Sequence, residues 1–131
     1  MPSAMKTPLR LVVGGGRAAT FPVLRAEDIS LNIARTARPH VLGDIVSAPF
    51  QAGQLRTVFF ERVPFPAFTG RNSGALREAA RILHSGGRIV METGSAAPRN
   101  EIVTLLRAVG FTNIRVTGRH VLRVTAILGE P

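Results

Sequence analysis

Between residues 57 and 117 the sequence alternates strand-type and helix-type hydrophobic runs, and this restricts the fold more than any other feature. Thr57-Val58-Phe59-Phe60 is a continuous apolar run of strand type. Leu76, Ala79, Ala80 and Leu83 then recur at helical spacing behind a Ser73 cap, and His84-Ser85-Gly86-Gly87 ends that helix. Arg88 to Glu92 reads as the next strand. Pro98-Arg99-Asn100 opens a second helix with Ile102, Leu105, Leu106 and Val109 on one face and Gly110 at its end. Ile114 to Thr117 follows as a strand. Strand–helix–strand units of this kind predict an α/β fold with a mostly parallel sheet. Leu122 to Leu128 is a last alternating strand, joined through Gly118-Arg119-His120, which predicts an antiparallel pair at the end of the chain.

The first half carries three more strand signals: Leu9–Val13, Ile29–Ile33 and Val41–Ile45. About seven strands are therefore expected in all. The links that follow these three are only 12 (from Gly16), 7 and 11 residues long, and proline interrupts each. A parallel crossover needs roughly a dozen residues, usually helical. The N-terminal crossovers are thus reduced, and the helices are expected mainly on one face of the sheet. An apolar sheet face does not stay bare. A second copy of the chain, as a homodimer, or a partner protein is expected to cover the other face.

With 131 residues the chain is read as a single domain, 1–131. The absence of cysteine excludes disulfides, thiolate metal sites and a cysteine nucleophile. No pair of histidines has ligand spacing, so no metal is expected. No Gly-x-Ser-x-Gly elbow supports a serine hydrolase. Basic residues number 17 against 8 acidic ones, a net charge of +9, and all the basic residues except Lys6 are arginine. Guanidinium forks suit phosphate and carboxylate, so the excess points to nucleic acid, a phosphorylated ligand or an acidic protein. A solvated arginine-rich surface explains it equally well. Tryptophan and tyrosine are absent, which disfavours a base-stacking platform. Leu9 to Val13 is too short to span a membrane and lacks a cleavage pattern. A cytoplasmic protein is expected, with no membrane partner, or else a domain excised from a larger, secreted chain.

Gly14-Gly15-Gly16 at the end of the first strand lets backbone approach a ligand closely, although a tight turn accounts for it as well. Its place at a strand's carboxyl end favours the ligand. Together with Ser30 to Ile33, Pro39 to Ile45 and Ala48-Pro49-Phe50, this stretch resembles the compact class I S-adenosylmethionine-dependent methyltransferases, Rossmann-like proteins, in a form with a shortened first crossover. Leu76 to Val90 and Leu105 to Ile114 are similar to the family's later helix–strand units, and the likeness runs from about residue 9 to 128. The resemblance implies S-adenosylmethionine as cofactor. It implies Gly14, Gly15 and Gly16 around the methionine and ribose, and Asn32 at the ribose. It also implies Asp44 on the adenine amino group, with Ile45 beside the ring. Asp44 read without the family is an exposed turn residue or a cap.

Two departures stand out. The family usually carries an acidic residue after the second strand, where this chain has Asn32-Ile33-Ala34-Arg35. The stretch after the fourth strand, Phe60 to Phe68, only faintly echoes the Asn/Asp-Pro-Pro-aromatic loop of amino-methylating enzymes. Phe60, Pro64, Phe65 and Thr93 are the candidate substrate contacts. Glu61 is the catalytic candidate, as a general base, against the plainer reading of a salt bridge to Arg56 or Arg62. Two functions follow. One is methyl transfer to an anionic or nucleic-acid acceptor. The other is a non-catalytic module of the same fold, acting as a basic binding domain or a bacterial effector or toxin domain with an acidic partner.

Overall fold

The computed structural model describes residues 10–14, 28–32, 35–61, 68, 74–94 and 98–129. In chain order they form β1 (Arg10–Val13), β2 (Ile29–Asn32), a 3-10 turn η1 (Arg35–Ala37), β3 (Val41–Leu42), a second 3-10 turn η2 (Ile45–Ser47) and β4 (Leu55–Phe60). Helix α1 (Gly74–Ile82), β5 (Leu83–Gly94), helix α2 (Arg99–Ala108), β6 (Phe111–Thr117) and β7 (Val121–Leu128) complete it. The strands make one sheet in the order β3-β2-β1-β4-β5-β7-β6. All pairs from β3 to β5 are parallel, and β7 runs antiparallel to both β5 and β6.

This is the mostly parallel seven-stranded sheet that the alternation predicts, with its antiparallel end. The boundaries differ in instructive ways. β3 stops at Leu42 because the Asp44 carboxylate takes the Val46 N–H, which draws the chain out of the ladder and into η2. The first helix ends at Ile82, and Leu83 already pairs with Leu55, so the Gly86-Gly87 turn lies inside a long strand rather than after a helix. Gly87 has to be glycine, because a Cβ there would meet the carbonyl oxygens of His84 and Arg56. Ser73, the expected cap, lies outside the described residues.

Strand alternation divides the side chains between two faces. On the first, Leu11, Val13, Leu31, Val58, Phe60, Ile89, Met91, Leu122, Val124 and Ala126 form one cluster with Ala75, Leu76, Ala79 and Ile82 of α1 and Ile102 and Leu106 of α2. Burial of side chains this size contributes about 1.5–3 kcal/mol each, so this layer supplies most of the fold's stability. Both described helices therefore lie on one face; the crossover after β1 lies outside the described residues. On the other face Val12, Phe59 and Val90 form a second small buried cluster. Arg10 crosses this cluster, 5.1 Å above the Phe59 ring, and grips the buried Asp28 with Nη2 at 2.7 Å and Nε at 3.2 Å from each carboxylate oxygen.

Candidate functional site

In a sheet ordered this way the connections leave β1 toward β2 and β4 toward β5, in opposite directions, so a crevice opens at the carboxyl ends of β1 and β4. Gly14 occupies the β1 side with φ of 86°, a conformation that suits glycine, and its N–H donates to the Leu31 carbonyl at 2.9 Å. Glu61 occupies the β4 side, half-buried, its N–H held by the Val13 carbonyl at 3.0 Å. Asn32 ends β2 and donates its Nδ2 to the Gly14 carbonyl at 3.0 Å. The Asn32 carbonyl in turn accepts from Gly43 at 2.9 Å, next to Asp44. One chain of hydrogen bonds thus ties the glycine turn, Asn32 and the Asp44 loop together along one edge.

Asp44 is exposed and caps η2 through Oδ1, 3.1 Å from the Val46 N–H. The cap reading is correct as far as it goes. It uses one oxygen, and the other has no partner among the described residues. Ile45 beside it is half-buried and rests against the main core. The expected cofactor residues Gly14, Asn32, Asp44 and Ile45 are therefore brought to one edge. Gly15 and Gly16 lie outside the described residues, as do Pro64 and Phe65.

The remaining candidates are placed differently. Phe60 is 1% exposed under the helices, edge-on to Phe68 with ring centres 5.0 Å apart, and presents no ring surface to an acceptor. Thr93 is 3% exposed, and its hydroxyl has no hydrogen-bond partner among the described residues. Both serve the interior in this structure, because the strand alternation that turns Glu92 to the second face turns Phe60 and Thr93 inward.

Two supports of the edge escaped the sequence reading. Glu78 and Arg81 on α1 clasp the loop after Asp44. Glu78 Oε2 accepts the Ala48 N–H at 2.9 Å and Oε1 accepts Arg81 Nε at 2.6 Å, while Arg81 Nη2 donates to the Ala48 and Phe50 carbonyls at 3.1 and 2.9 Å. The Arg81 guanidinium holds the Glu78 carboxyl below its usual range; partial burial opposes this and the Ala48 N–H reinforces it. Their i,i+3 spacing was the available signal. The second support joins β2 to the segment before β3. His40 N–H donates to Ser30 Oγ at 2.8 Å, and His40 Nδ1 accepts the Ser30 N–H at 3.0 Å. Accepting there requires a neutral ring protonated on Nε2, and no local pattern announces it. No group of three or more His, Asp or Glu side chains among the described residues is placed to hold a metal. No helix among them is long and apolar enough to cross a membrane.

No protein-family model and no curated protein matches the sequence. Solved structures do match. A methyltransferase from Archaeoglobus fulgidus superposes with a TM-score of 0.74 at 11% identity, over 94% of this chain and 87% of that one. One from Thermotoga maritima gives 0.71 at 17%, over 90% and 80%. The 1,6-didemethyltoxoflavin N1-methyltransferase of Burkholderia thailandensis, solved with 1,6-didemethyltoxoflavin and S-adenosylhomocysteine, gives 0.66 at 13%, over 93% and 71%. Identities this low speak to architecture alone, and the strand order is the one the sheet displays. The chain has the fold of the class I S-adenosylmethionine-dependent methyltransferases.

Proposed function

We propose that the protein binds S-adenosylmethionine along the edge formed by Gly14, Asn32, Asp44 and Ile45 and transfers its methyl group to an anionic acceptor. The observation that carries this reading is the convergence of Gly14, Asn32 and Asp44 at the carboxyl ends of neighbouring strands, joined by hydrogen bonds through Gly14 and Gly43. The donor set suits the cofactor. The uncommitted Asp44 oxygen accepts the exocyclic amine of adenine, and Ile45 offers the ring an apolar flank. The Gly14 turn leaves room for the ribose and methionine.

Bound there, the cofactor supplies a methyl group already activated on a sulfonium, so no covalent enzyme intermediate is required. The chain's own contribution is position: the Asn32–Gly14 bond fixes the turn, and the α1 clasp fixes the loop that carries Asp44. Glu61, across the crevice from Gly14, is suited to take the proton that an acceptor O–H or N–H gives up on methylation.

A second reading is favoured by Asn32 itself. An amide offers one acceptor oxygen where a carboxylate offers two for the ribose hydroxyls, and its Nδ2 is engaged with Gly14. On that reading the chain is a non-catalytic binding module. Calorimetric titration with S-adenosylmethionine and S-adenosylhomocysteine separates the two. Micromolar-range binding that Asp44→Ala abolishes supports the enzyme. Absence of binding at millimolar ligand rejects it.

A further inference from the structure

The second sheet face divides at β4. On its inner half Val12, Phe59 and Val90 are buried. On its outer half, across the amino-terminal part of β5 and over β7 and β6, no described helix packs, and the register arrays its side chains in rows. Thr57, Arg88, Ile127 and Thr112 make one row, and Thr125 and Arg115 continue the next beside Val90. Arg88 and Arg115 are exposed, as is Arg56 at the start of the trough, while Thr57, Thr125 and Ile127 are half-buried between them.

Two concavities, of about 270 and about 560 Å³, lie side by side with Arg88 and Ile127 lining both, and together they are termed the trough. Arg56, Thr57, His84 and Gly86 line its first part, and Asn113, Arg115 and Thr125 its second. None of Arg56, Arg88 and Arg115 has an ion pair among the described residues. The carboxylate nearest in register, Glu92, is engaged with Arg123 at 3.1 Å.

Unpaired arginines standing together on a sheet repel one another. That repulsion is relieved by an anionic partner and made worse by a second copy of this chain, which would bring the same arginines. Strands about 4.8 Å apart, with same-face residues about 6.8 Å apart along each, place Arg88 and Arg115 on the order of 12 Å from each other. Such spacing matches separate charges on an extended polymer better than one small ion. Threonine hydroxyls and Asn113 between the arginines are further donors to phosphate oxygens. Among the described residues no Phe, Tyr or Trp lines the trough, so it lacks the broad ring faces on which a series of unpaired bases would stack.

We propose that this trough docks the phosphate backbone of a nucleic-acid duplex, without reading its sequence. The surface lies toward the opposite end of the strands from the Gly14–Asp44 edge, and its binding is independent of the cofactor.

The test is fluorescence anisotropy of the full chain with a labelled 20-base-pair DNA duplex of arbitrary sequence, from 50 to 200 mM NaCl. Arg88→Gln/Arg115→Gln is compared with Arg77→Gln/Arg107→Gln, which removes the same charge from helices α1 and α2 on the other face. Each phosphate contact contributes about −0.9 to the slope of log affinity against log salt. The trough pair is expected to weaken binding at least about tenfold and to flatten the slope by nearly two, while the helix pair changes affinity less than about threefold. An equal loss in both pairs overturns the proposal, because diffuse charge would then suffice. No binding at 50 mM salt also overturns it, as does a trough pair that changes only sedimentation of a dimer. Asp44→Ala is expected to leave duplex affinity unchanged, so failure here and failure of the methyltransferase reading are told apart.

Discussion

Replacing Glu78 tests whether α1 holds the loop that carries Asp44. The Ala48 N–H sits on a buried residue, and Glu78 Oε2 is its acceptor at 2.9 Å. Orphaning a buried donor costs about 1–3 kcal/mol. The ion pair with the exposed Arg81 adds little, because water screens it. Glu78→Ala is therefore expected to destabilise the fold by about 2 kcal/mol, which lowers Tm by something on the order of 8 °C for a domain this size. Urea unfolding measures the first and a thermal melt the second. Amide exchange at Ala48 and Phe50 should accelerate ahead of exchange in β5. Glu78→Gln keeps an acceptor for Ala48 and loses the charge, and the difference between it and the wild type should depend on pH. Arg81 lowers the Glu78 pKa in the folded state, so the charged form stabilises the fold above the unfolded value of 4.5, and that contribution disappears as pH falls through the lower folded value. Stabilities of the Gln variant and the wild type should differ at pH 7 and converge in acid. An Ala variant within about 0.5 kcal/mol of the wild type, or a Gln variant whose deficit persists below that window, would refute the clasp.

Three further outcomes follow from particular contacts. Thr93→Val removes a buried hydroxyl that has no partner and keeps the side chain's shape, so stability should rise by about 1 kcal/mol; a loss would mean that the hydroxyl is satisfied in solution. Gly118 has φ of 102°, and a Cβ there would run into the Val121 carbonyl, so Gly118→Ala should cost about 2–3 kcal/mol in chemical denaturation and loosen the β6–β7 turn. Phe60→Ala removes a ring that is 1% exposed and stacked edge-on against Phe68, and an unfolding free energy lower by about 3–5 kcal/mol is expected; a cost under half of that would show that the pocket collapses around the gap.

The later half of the fold was legible because its residues satisfy local and long-range demands together. Leu76 and Ala79 are helical by spacing and buried by the same spacing, and Ile102 and Leu106 repeat the pattern on α2. The antiparallel end could be read because Gly118 permits a turn that few other residues allow. The elements that moved are those where a long-range contact overrode local pattern. Leu83 belongs to the helical stripe by period, yet it pairs with Leu55 of β4, since at a helix end its backbone groups lack helical partners and the neighbouring strand supplies them. β6 begins at Phe111 rather than Ile114 because Asn113 takes a positive φ of 51° at a break in the ladder, and asparagine accepts that conformation more readily than most.

The candidate site divides along the same line. Gly14 and Asp44 could be found because a positive-φ turn and a short capping carboxylate each demand a particular residue type at a particular place. Phe60 and Thr93 could not be assigned from sequence, because which face a strand residue points to depends on register, and a single step exchanges core for surface. The same ambiguity hid the trough. Arg88 and Arg115 lie 27 residues apart in the chain and read as two isolated surface charges. Only the insertion of β7 between β5 and β6 sets them on one face with Ile127 and Thr125 between them. Three of the 17 basic residues thereby gain a common location, which makes the anionic partner a question about particular arginines rather than about composition. If those arginines dock a polymer while Asp44 holds a cofactor beside β3 of the same sheet, the sheet itself is the ruler that fixes how far from the docked backbone a methyl acceptor must lie.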